Sequence, residues 1–411
     1  MRNKVLKSET SDSTYNELRL EPFGPIGIIS HTANTEFTQM VSNILYEKRL
    51  KRFNEGSNPY VTNPGYLRTN YIFDSELVRF GTGEGKFQLA ESTRGHDIYI
   101  ITDILSYNES TDIAGYDHIM SPDDHYRDLL RIISTCAGKA RRINVIMPFM
   151  YEGIQIHKTS KLDESLDCAA VLRQLYSLGV SNLVVFDPHD TRIDNATPLM
   201  GIEKPKSAYK IISTLISKFG SITLSPEHTM VVSPDETGVS RAVFYASMLN
   251  IPLGIFYRER DYSIAMNEQP PVKEYKFIGN DVKGKDILLI DDMINTGNTM
   301  MTTASKLKEQ GARDIYYIAP FGLFTNGFEE FDSAYKAGHI KAVVCTNLIY
   351  RPKELLEKEW YVDVNLTPYV ARIIDALNVD ESVSNLINST SRIREFLDQI
   401  RIDEFIDDII Y

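Results

Sequence analysis

Cysteine is scarce in this chain. Three cysteines stand in 411 residues, Cys136, Cys168 and Cys345. They lie too far apart for a C-x-x-C redox pair or a zinc-ligand cluster, so buried thiols in a reducing compartment are expected. Positive charge is also short: 44 Lys and Arg face 56 Asp and Glu, giving a net charge of −12. That balance lacks the basic field on which nucleic-acid binding rests, so no nucleic-acid partner is expected. No apolar run approaches the roughly 18 residues that a membrane-spanning helix needs. The opening Met1-Arg-Asn-Lys-Val-Leu-Lys-Ser-Glu9 has no apolar signal segment. A cytoplasmic protein without a membrane partner is therefore expected. Tryptophan is limited to Trp360, read as core.

What is present is an ordinary globular composition, 43% hydrophobic and 24% charged, in a chain long enough for two domains. One stretch organises it, Asp286-Ile-Leu-Leu-Ile-Asp-Asp-Met-Ile-Asn-Thr-Gly-Asn-Thr-Met300. The apolar run Ile287 to Ile290 predicts a buried strand. It ends on Asp291 and Asp292, passes a Thr/Gly turn, and enters a helix over Met300 to Gln310 closed by Gly311. Turn amides and a helix N-terminus suit a phosphate dianion. Paired carboxylates suit sugar hydroxyls, directly or through Mg²⁺.

Elsewhere strands and helices alternate, predicting α/β architecture with mainly parallel sheets. An internal echo joins two regions. Gly95-His-Asp-Ile-Tyr-Ile-Ile-Thr-Asp103 parallels Gly284-Lys-Asp-Ile-Leu-Leu-Ile-Asp-Asp292, and Arg142 to Phe149 parallels Arg313 to Phe321. Two copies of one α/β fold are expected, over residues 24–205 and 206–380. A polar arm (1–23) precedes them and an acidic helical tail (381–411) follows. Residues 51–75 and 106–120 read as surface insertions, and 262–283 as a polar excursion. His125 reads as capping or surface chemistry, His31 as surface, and Arg141-Arg142 as a solvated pair.

The motifs together resemble the ribose-phosphate pyrophosphokinase (phosphoribosyl pyrophosphate synthetase) family, from about Gly27 to about Leu377, in a longer divergent form. The resemblance implies two tandem phosphoribosyltransferase-like domains and transfer of the β,γ-diphosphoryl group of MgATP to the C1 hydroxyl of ribose 5-phosphate. Asp291 and Asp292 then hold the ribose hydroxyls, and Asn295, Thr296, Gly297, Asn298 and Thr299 form the 5-phosphate loop. Ser233-Pro-Asp235 faces ribose phosphate and metal, and Asp187-Pro-His189 holds Mg²⁺ near ATP. The metal set is thus His189, Asp187 and Asp235. Phe80-Gly-Thr-Gly-Glu84 reaches the adenine of a neighbouring subunit, with Gln155 also on the ATP side. Arg258 and Arg260 match the cations of a catalytic loop and, with His189, form the catalytic set. A homo-oligomer is implied, a hexamer or other dimer-built assembly with the ATP site at a subunit interface.

The departures from the family pattern cluster on the ATP side. Tyr151-Glu-Gly-Ile-Gln155 lacks the family's arginine, Lys161-Leu-Asp-Glu-Ser165 lacks another, Thr82 replaces an aspartate, and Arg258 replaces a lysine. Two alternatives therefore stay open. One is a regulatory or structural subunit, the other a diphosphokinase using another acceptor such as ADP-ribose.

Overall fold

The computed structural model describes residues 21–31, 34–55, 63–154, 163–220, 222–260 and 272–399. The arm before residue 21 and the tail beyond 399 fall outside them. Two parallel sheets flanked by helices form the molecule. The first has five strands in the spatial order Ile26–Ser30, Asp97–Ile101, Arg142–Ile146, Asn182–Val184, Gly201–Glu203, all parallel. The second has seven, in the order Val272–Ile278, Leu253–Arg260, Thr229–Ser233, Asp286–Ile290, Ile315–Ile318, Ala342–Thr346, Tyr361–Val364. Within it only the ribbon of Leu253–Arg260 and Val272–Ile278 is antiparallel. Central strands are buried at every position because helices cover both faces, so they read as continuous apolar runs without alternation.

The internal echo is realised in matching contacts. Asp97 opens its strand and accepts hydrogen bonds from Arg142 on the next strand, with Nε and NH2 both at 2.8 Å. Asp286 does the same with Arg313, Nε at 2.7 Å. Two residues before each aspartate, Gly95 and Gly284 take φ of 77° and 72°, the left-handed region that glycine adopts without a Cβ clash. The two copies touch one another directly. Phe149 and Phe321, each following the strand that pairs with the Asp97 or the Asp286 strand, meet edge to face at 5.3 Å. Asp103 in the first copy accepts from the Tyr350 amide of the second at 2.6 Å, while Asp292 in the second pairs with His189 of the first.

The helix Thr367–Asn378 follows the last strand of the second sheet yet packs on the first sheet. Val370, Ile373, Ile374 and Leu377 share a core with Ile26, Val41, Leu45 and Tyr99. Its apolar residues lie on nearly all sides, which predicts full burial but not the sheet that provides it. Polar contacts fix the docking. Asp375 meets Lys48 Nζ at 2.8 Å, Arg49 Nε at 3.0 Å and Arg52 NH1 at 2.7 Å. Arg49 is fully buried, and its charge is tolerated only because it is paired.

Several sequence expectations change. The first helix runs Thr35–Asn54, and Tyr66, Tyr71 and Phe73 in the supposed surface insertion are buried, with Arg49 stacked over Tyr66 at 4.2 Å. Residues 106–120 contain a hairpin, Ser110–Ile113 with Tyr116–Ile119, and Val272–Ile278 is a strand inside the expected excursion. His125 does not cap its helix. Ser121 and Asp124 form the capping box of Pro122–Cys136, and His125 is buried with its ring 5.2 Å from that of buried His31. Arg142 is not solvated, because Asp97 and the Leu377 carbonyl engage it. The three cysteines and Trp360 are buried, as expected. Among the described residues no helix is long and apolar enough to cross a membrane.

Asp375→Ala leaves the Arg49 guanidinium buried without its carboxylate. It is expected to lower unfolding free energy by about 3–5 kcal/mol in urea denaturation. A loss below about 1 kcal/mol, the scale of an exposed pair, would show that the cluster does not clamp the helix to the first sheet.

Candidate functional site

Parallel strands deliver loops at their C-terminal ends, where open α/β sheets bind ligands. The neighbouring strands Thr229–Ser233 and Asp286–Ile290 end on two such loops. Each runs into a helix, Val239–Leu249 or Asn298–Glu309. In the first loop Asp235 folds back on the chain. Its Oδ1 accepts from the Thr237 amide at 2.8 Å and the Gly238 amide at 3.2 Å. Its Oδ2 pairs with Arg258 NH2 at 3.2 Å, and Arg258 Nε reaches Glu236 at 3.3 Å. Arg258 therefore sits in a strand directly over the acids of this loop.

The second loop carries Asp291, Asp292 and residues 295–299. Gly297 has φ 88°, and a Cβ there would stand 2.5 Å from the Phe331 ring. Backbone angle and close approach both demand glycine. Thr296 Oγ1 accepts from the Asn298 amide at 3.3 Å, and Asn295 Oδ1 accepts from the Thr325 hydroxyl at 2.9 Å. These bonds shape the loop beneath the N-terminus of Asn298–Glu309, whose first amides have no intrahelical acceptors. The two loops touch at Gly238, where a Cβ would lie 3.7 Å from Asp291 Oδ1.

The acid pair is electrostatically divided. Burial first, then the charge of Asp292 and that of Asp235, raises the Asp291 pKa. Burial also opposes ionisation of Asp292, but the hydrogen bond from His189 and the charge of Arg241 outweigh it and hold Asp292 below the usual carboxylate range. In return, the hydrogen bond to Asp292 raises the His189 pKa above 6.5, against desolvation.

The structure thus brings Asp235, Arg258, Asp291, Asp292 and His189 together around one site. Asp187 stands beside it in a different role. It has φ 41°, its Oδ2 accepts from the Ser207 amide at 2.9 Å and from the Ser207 hydroxyl, and its carbonyl accepts from Arg241 at 3.1 Å. Its carboxylate is engaged in shaping the loop that presents His189, which leaves it poorly placed as a metal ligand. Phe80 and Glu84 lie at the tip of the hairpin Ser75–Arg79/Gly85–Leu89, with Phe80 exposed and the hairpin held to Asp128 through Arg79. No hydrogen bond or ion pair among the described residues joins that tip to His189. Gln155 lies outside the described residues, as does the Arg260 side chain. Among the described residues no group of three His, Cys, Asp or Glu forms a metal cage. Mg²⁺ is commonly held by one or two carboxylates together with water and substrate phosphates, and Asp292 with Asp291 fits that donor set.

Sequence reasoning missed Arg241 and Ser207. Arg241 stands three residues beyond Gly238, on the first turn of a helix that begins at the site. That spacing was the available signal. Ser207 carried none, because its role depends on Asp187 reaching it from another loop.

Comparisons with known proteins agree with this layout. Residues 26–179 match the family model described as the N-terminal domain of ribose phosphate pyrophosphokinase, and residues 202–328 match the phosphoribosyl transferase domain. The chain is 28% identical over 313 residues to the ribose-phosphate pyrophosphokinase of Bacillus caldolyticus, covering 76% of this chain and 89% of that one. It is 26% identical over 350 residues to that of Bacillus subtilis, covering 85% and 100%. The crystal structure of phosphoribosylpyrophosphate synthetase from Mycobacterium smegmatis shares the fold, with a TM-score of 0.66 and 20% identity over 86% of this chain and 98% of that one.

The His189–Asp292 pair makes a titration prediction. In NMR the His189 ring is expected to lose its proton above pH 6.5, and Asp292→Asn should return its midpoint towards 6.5. Because the folded value is raised, the pair's stabilisation is complete below 6.5 and fades as pH rises through the folded value. A wild-type midpoint at or below 6.5 would refute the pairing.

Proposed function

The chain belongs to the ribose-phosphate pyrophosphokinase family, and we propose that it transfers the β,γ-diphosphoryl group of MgATP to the C1 hydroxyl of ribose 5-phosphate. The products are phosphoribosyl pyrophosphate and AMP. The observation that carries this reading is the union, on one strand end, of a divided acid pair and a glycine-closed loop under a helix N-terminus.

The 5-phosphate rests on the amides and hydroxyls of Thr296, Gly297, Asn298 and Thr299, with Asn295 bracing the loop. Asp291 and Asp292 accept from the ribose hydroxyls, and Asp291, which keeps its proton more readily, can also donate one. Held in this way, the C1 oxygen attacks the β-phosphorus of ATP. The bond from that phosphorus to the oxygen bridging it to the α-phosphate breaks, AMP leaves, and the hydroxyl proton is lost. Such chemistry asks for positioning and charge neutralisation more than covalent catalysis. Bound Mg²⁺ would supply part of that neutralisation at the phosphoryl oxygens, with Asp292, Asp291 and His189 Nε2 as the groups to hold it. Arg258 supplies a second positive charge from the wall opposite the acids, with Arg260 further along the same strand. Asp187 and Asp235 act as positioning residues, the first through Ser207 and the second through Arg258 and its own turn. In a dimer-built assembly the exposed Phe80 and Glu84 serve the nucleotide of a neighbouring copy. A cytoplasmic location fits these soluble substrates.

Purified protein with MgATP and ribose 5-phosphate is expected to release AMP only when the sugar phosphate is present. Arg258→Ala should lower kcat by roughly 10²–10³-fold, the scale for removing one preorganised charge donor. AMP release with ADP-ribose alone would move the acceptor. Silence with both acceptors would favour the regulatory-subunit reading.

A further inference from the structure

Arg258 is gripped by two carboxylates, and the two are held very differently. Asp235 is fixed. Its Oδ1 accepts from the Thr237 amide at 2.8 Å, the Thr237 hydroxyl at 2.5 Å and the Gly238 amide at 3.2 Å. Its carbonyl accepts from the Ser233 hydroxyl at 2.7 Å, and its side chain is 11% exposed. Glu236 is loose by comparison. Its side chain is 42% exposed. Its Oε2 accepts from Arg258 Nε at 3.3 Å, and among the described residues Glu236 makes no other hydrogen bond or ion pair. Arg258 cannot travel far, because its backbone pairs with Tyr275 in the ribbon and its side chain is 19% exposed. A fixed acid, a fixed cation and a loose acid therefore share one corner of the site. One guanidinium against two carboxylates leaves that corner with a negative charge in excess.

A polyphosphate chain approaching such a corner meets repulsion. For Arg258 to face phosphoryl oxygens, one of its carboxylates has to let go. Moving Asp235 would break the bonds that shape its turn. Moving Glu236 breaks one partly exposed ion pair, which contributes little, and the freed carboxylate passes into water. The guanidinium fork allows the exchange, because Nε can change partner while NH2 stays on Asp235. Resting on the reading above, in which Arg258 serves the diphosphoryl donor, we propose that Glu236 is a displaceable counter-ion. It holds Arg258 Nε until the polyphosphate chain of the nucleotide takes its place. Glu236 thereby weakens the binding of nucleotides that carry phosphoryl groups beyond the first, and leaves a nucleoside monophosphate, too short to reach Arg258, unaffected. It determines affinity for the donor and is not a catalytic residue, since it leaves as the donor arrives.

The test is calorimetric binding of the Mg²⁺ complex of α,β-methylene ATP, which cannot transfer its diphosphoryl group, to the full chain. Glu236→Gln keeps the side chain's shape and one acceptor oxygen but removes the charge, and Glu236→Ala removes both. Glu236→Gln is expected to tighten binding about two- to fivefold at low salt, the scale of a partly exposed ion pair, and by less at high salt. AMP affinity should not change. In steady state KM for MgATP should fall by a similar factor with kcat kept. In an Arg258→Ala background the gain should vanish. A gain that persists there shows general repulsion and overturns the proposal. So does an unchanged affinity in Glu236→Gln with kcat lost in Glu236→Ala, which marks an orienting role. Weaker binding in either variant marks a ligand of metal or substrate and also overturns it, as does a wild-type chain that does not bind the analogue. An unchanged melting midpoint without nucleotide shows that the variants are folded. Turnover reports separately. If these binding shifts occur but ribose 5-phosphate elicits no AMP, the counter-ion stands and the diphosphokinase reading falls.

Discussion

Asp292 belongs to one copy of the fold and His189 to the other, so the site exists only while the two copies are held in register. That register is the constraint on which everything else depends. It is set by a cluster of buried polar groups at the far end of the first sheet. Asp97, fully buried, accepts from Arg142 and from Asn378 Nδ2 at 2.9 Å, and Asn378 in turn reaches the Gly24 carbonyl at 2.9 Å. Arg49 bridges Asn378 and Asp375. Each of these charges would be costly to bury alone. Together they tie residues more than 300 positions apart to one place, and the apolar face of Thr367–Asn378 follows.

The duplication sets two matching acids in different surroundings. The matching acid of the first copy, Asp103, is fully enclosed. It accepts from the amides of Leu105 and Tyr350, and burial pushes its pKa up to about 7. Asp292 occupies the equivalent strand end but remains partly exposed, with a histidine instead of an amide as partner. The same topological position is therefore an enclosed joint between the copies in one case and a partly exposed carboxylate at the candidate site in the other. The difference lies in what the opposite loop presents: a backbone N–H at Tyr350, an imidazole at His189.

Much of this was legible in the sequence. Strand runs such as Ile287–Ile290, the helix Val239–Leu249 and the paired motifs at Gly95 and Gly284 are local signals, and they fell where the pattern put them. The gathering of Asp235 and Asp291 was legible because each sits just past a strand end and parallel strands place those ends together, whereas Arg258, expected just past its strand, lies within Leu253–Arg260. What could not be read was long-range. The strand Val272–Ile278 exists by pairing with Leu253–Arg260, a condition that polar residues around it conceal. His31 and His125 look like surface residues until the fold buries them with their rings edge to face. Arg142 became a strut only because the chain's last long helix returned to the first sheet.

Arg258 shows how a departure from the family pattern can agree with its surroundings. A lysine offers one compact charge at the end of a flexible stem, whereas a guanidinium offers a rigid fork of donors. Here the fork is used on both prongs, NH2 towards Asp235 and Nε towards Glu236. A single ammonium at this place would not span two acids in that geometry. The strand pairing of Arg258 with Tyr275 fixes the base of the side chain, so the fork is positioned by the sheet instead of by a loose loop. This preorganisation keeps a positive charge facing the acids before any substrate arrives, and the Asp235 turn that receives it abuts Asp291. The cation and the acid pair are therefore two sides of one rigid cleft.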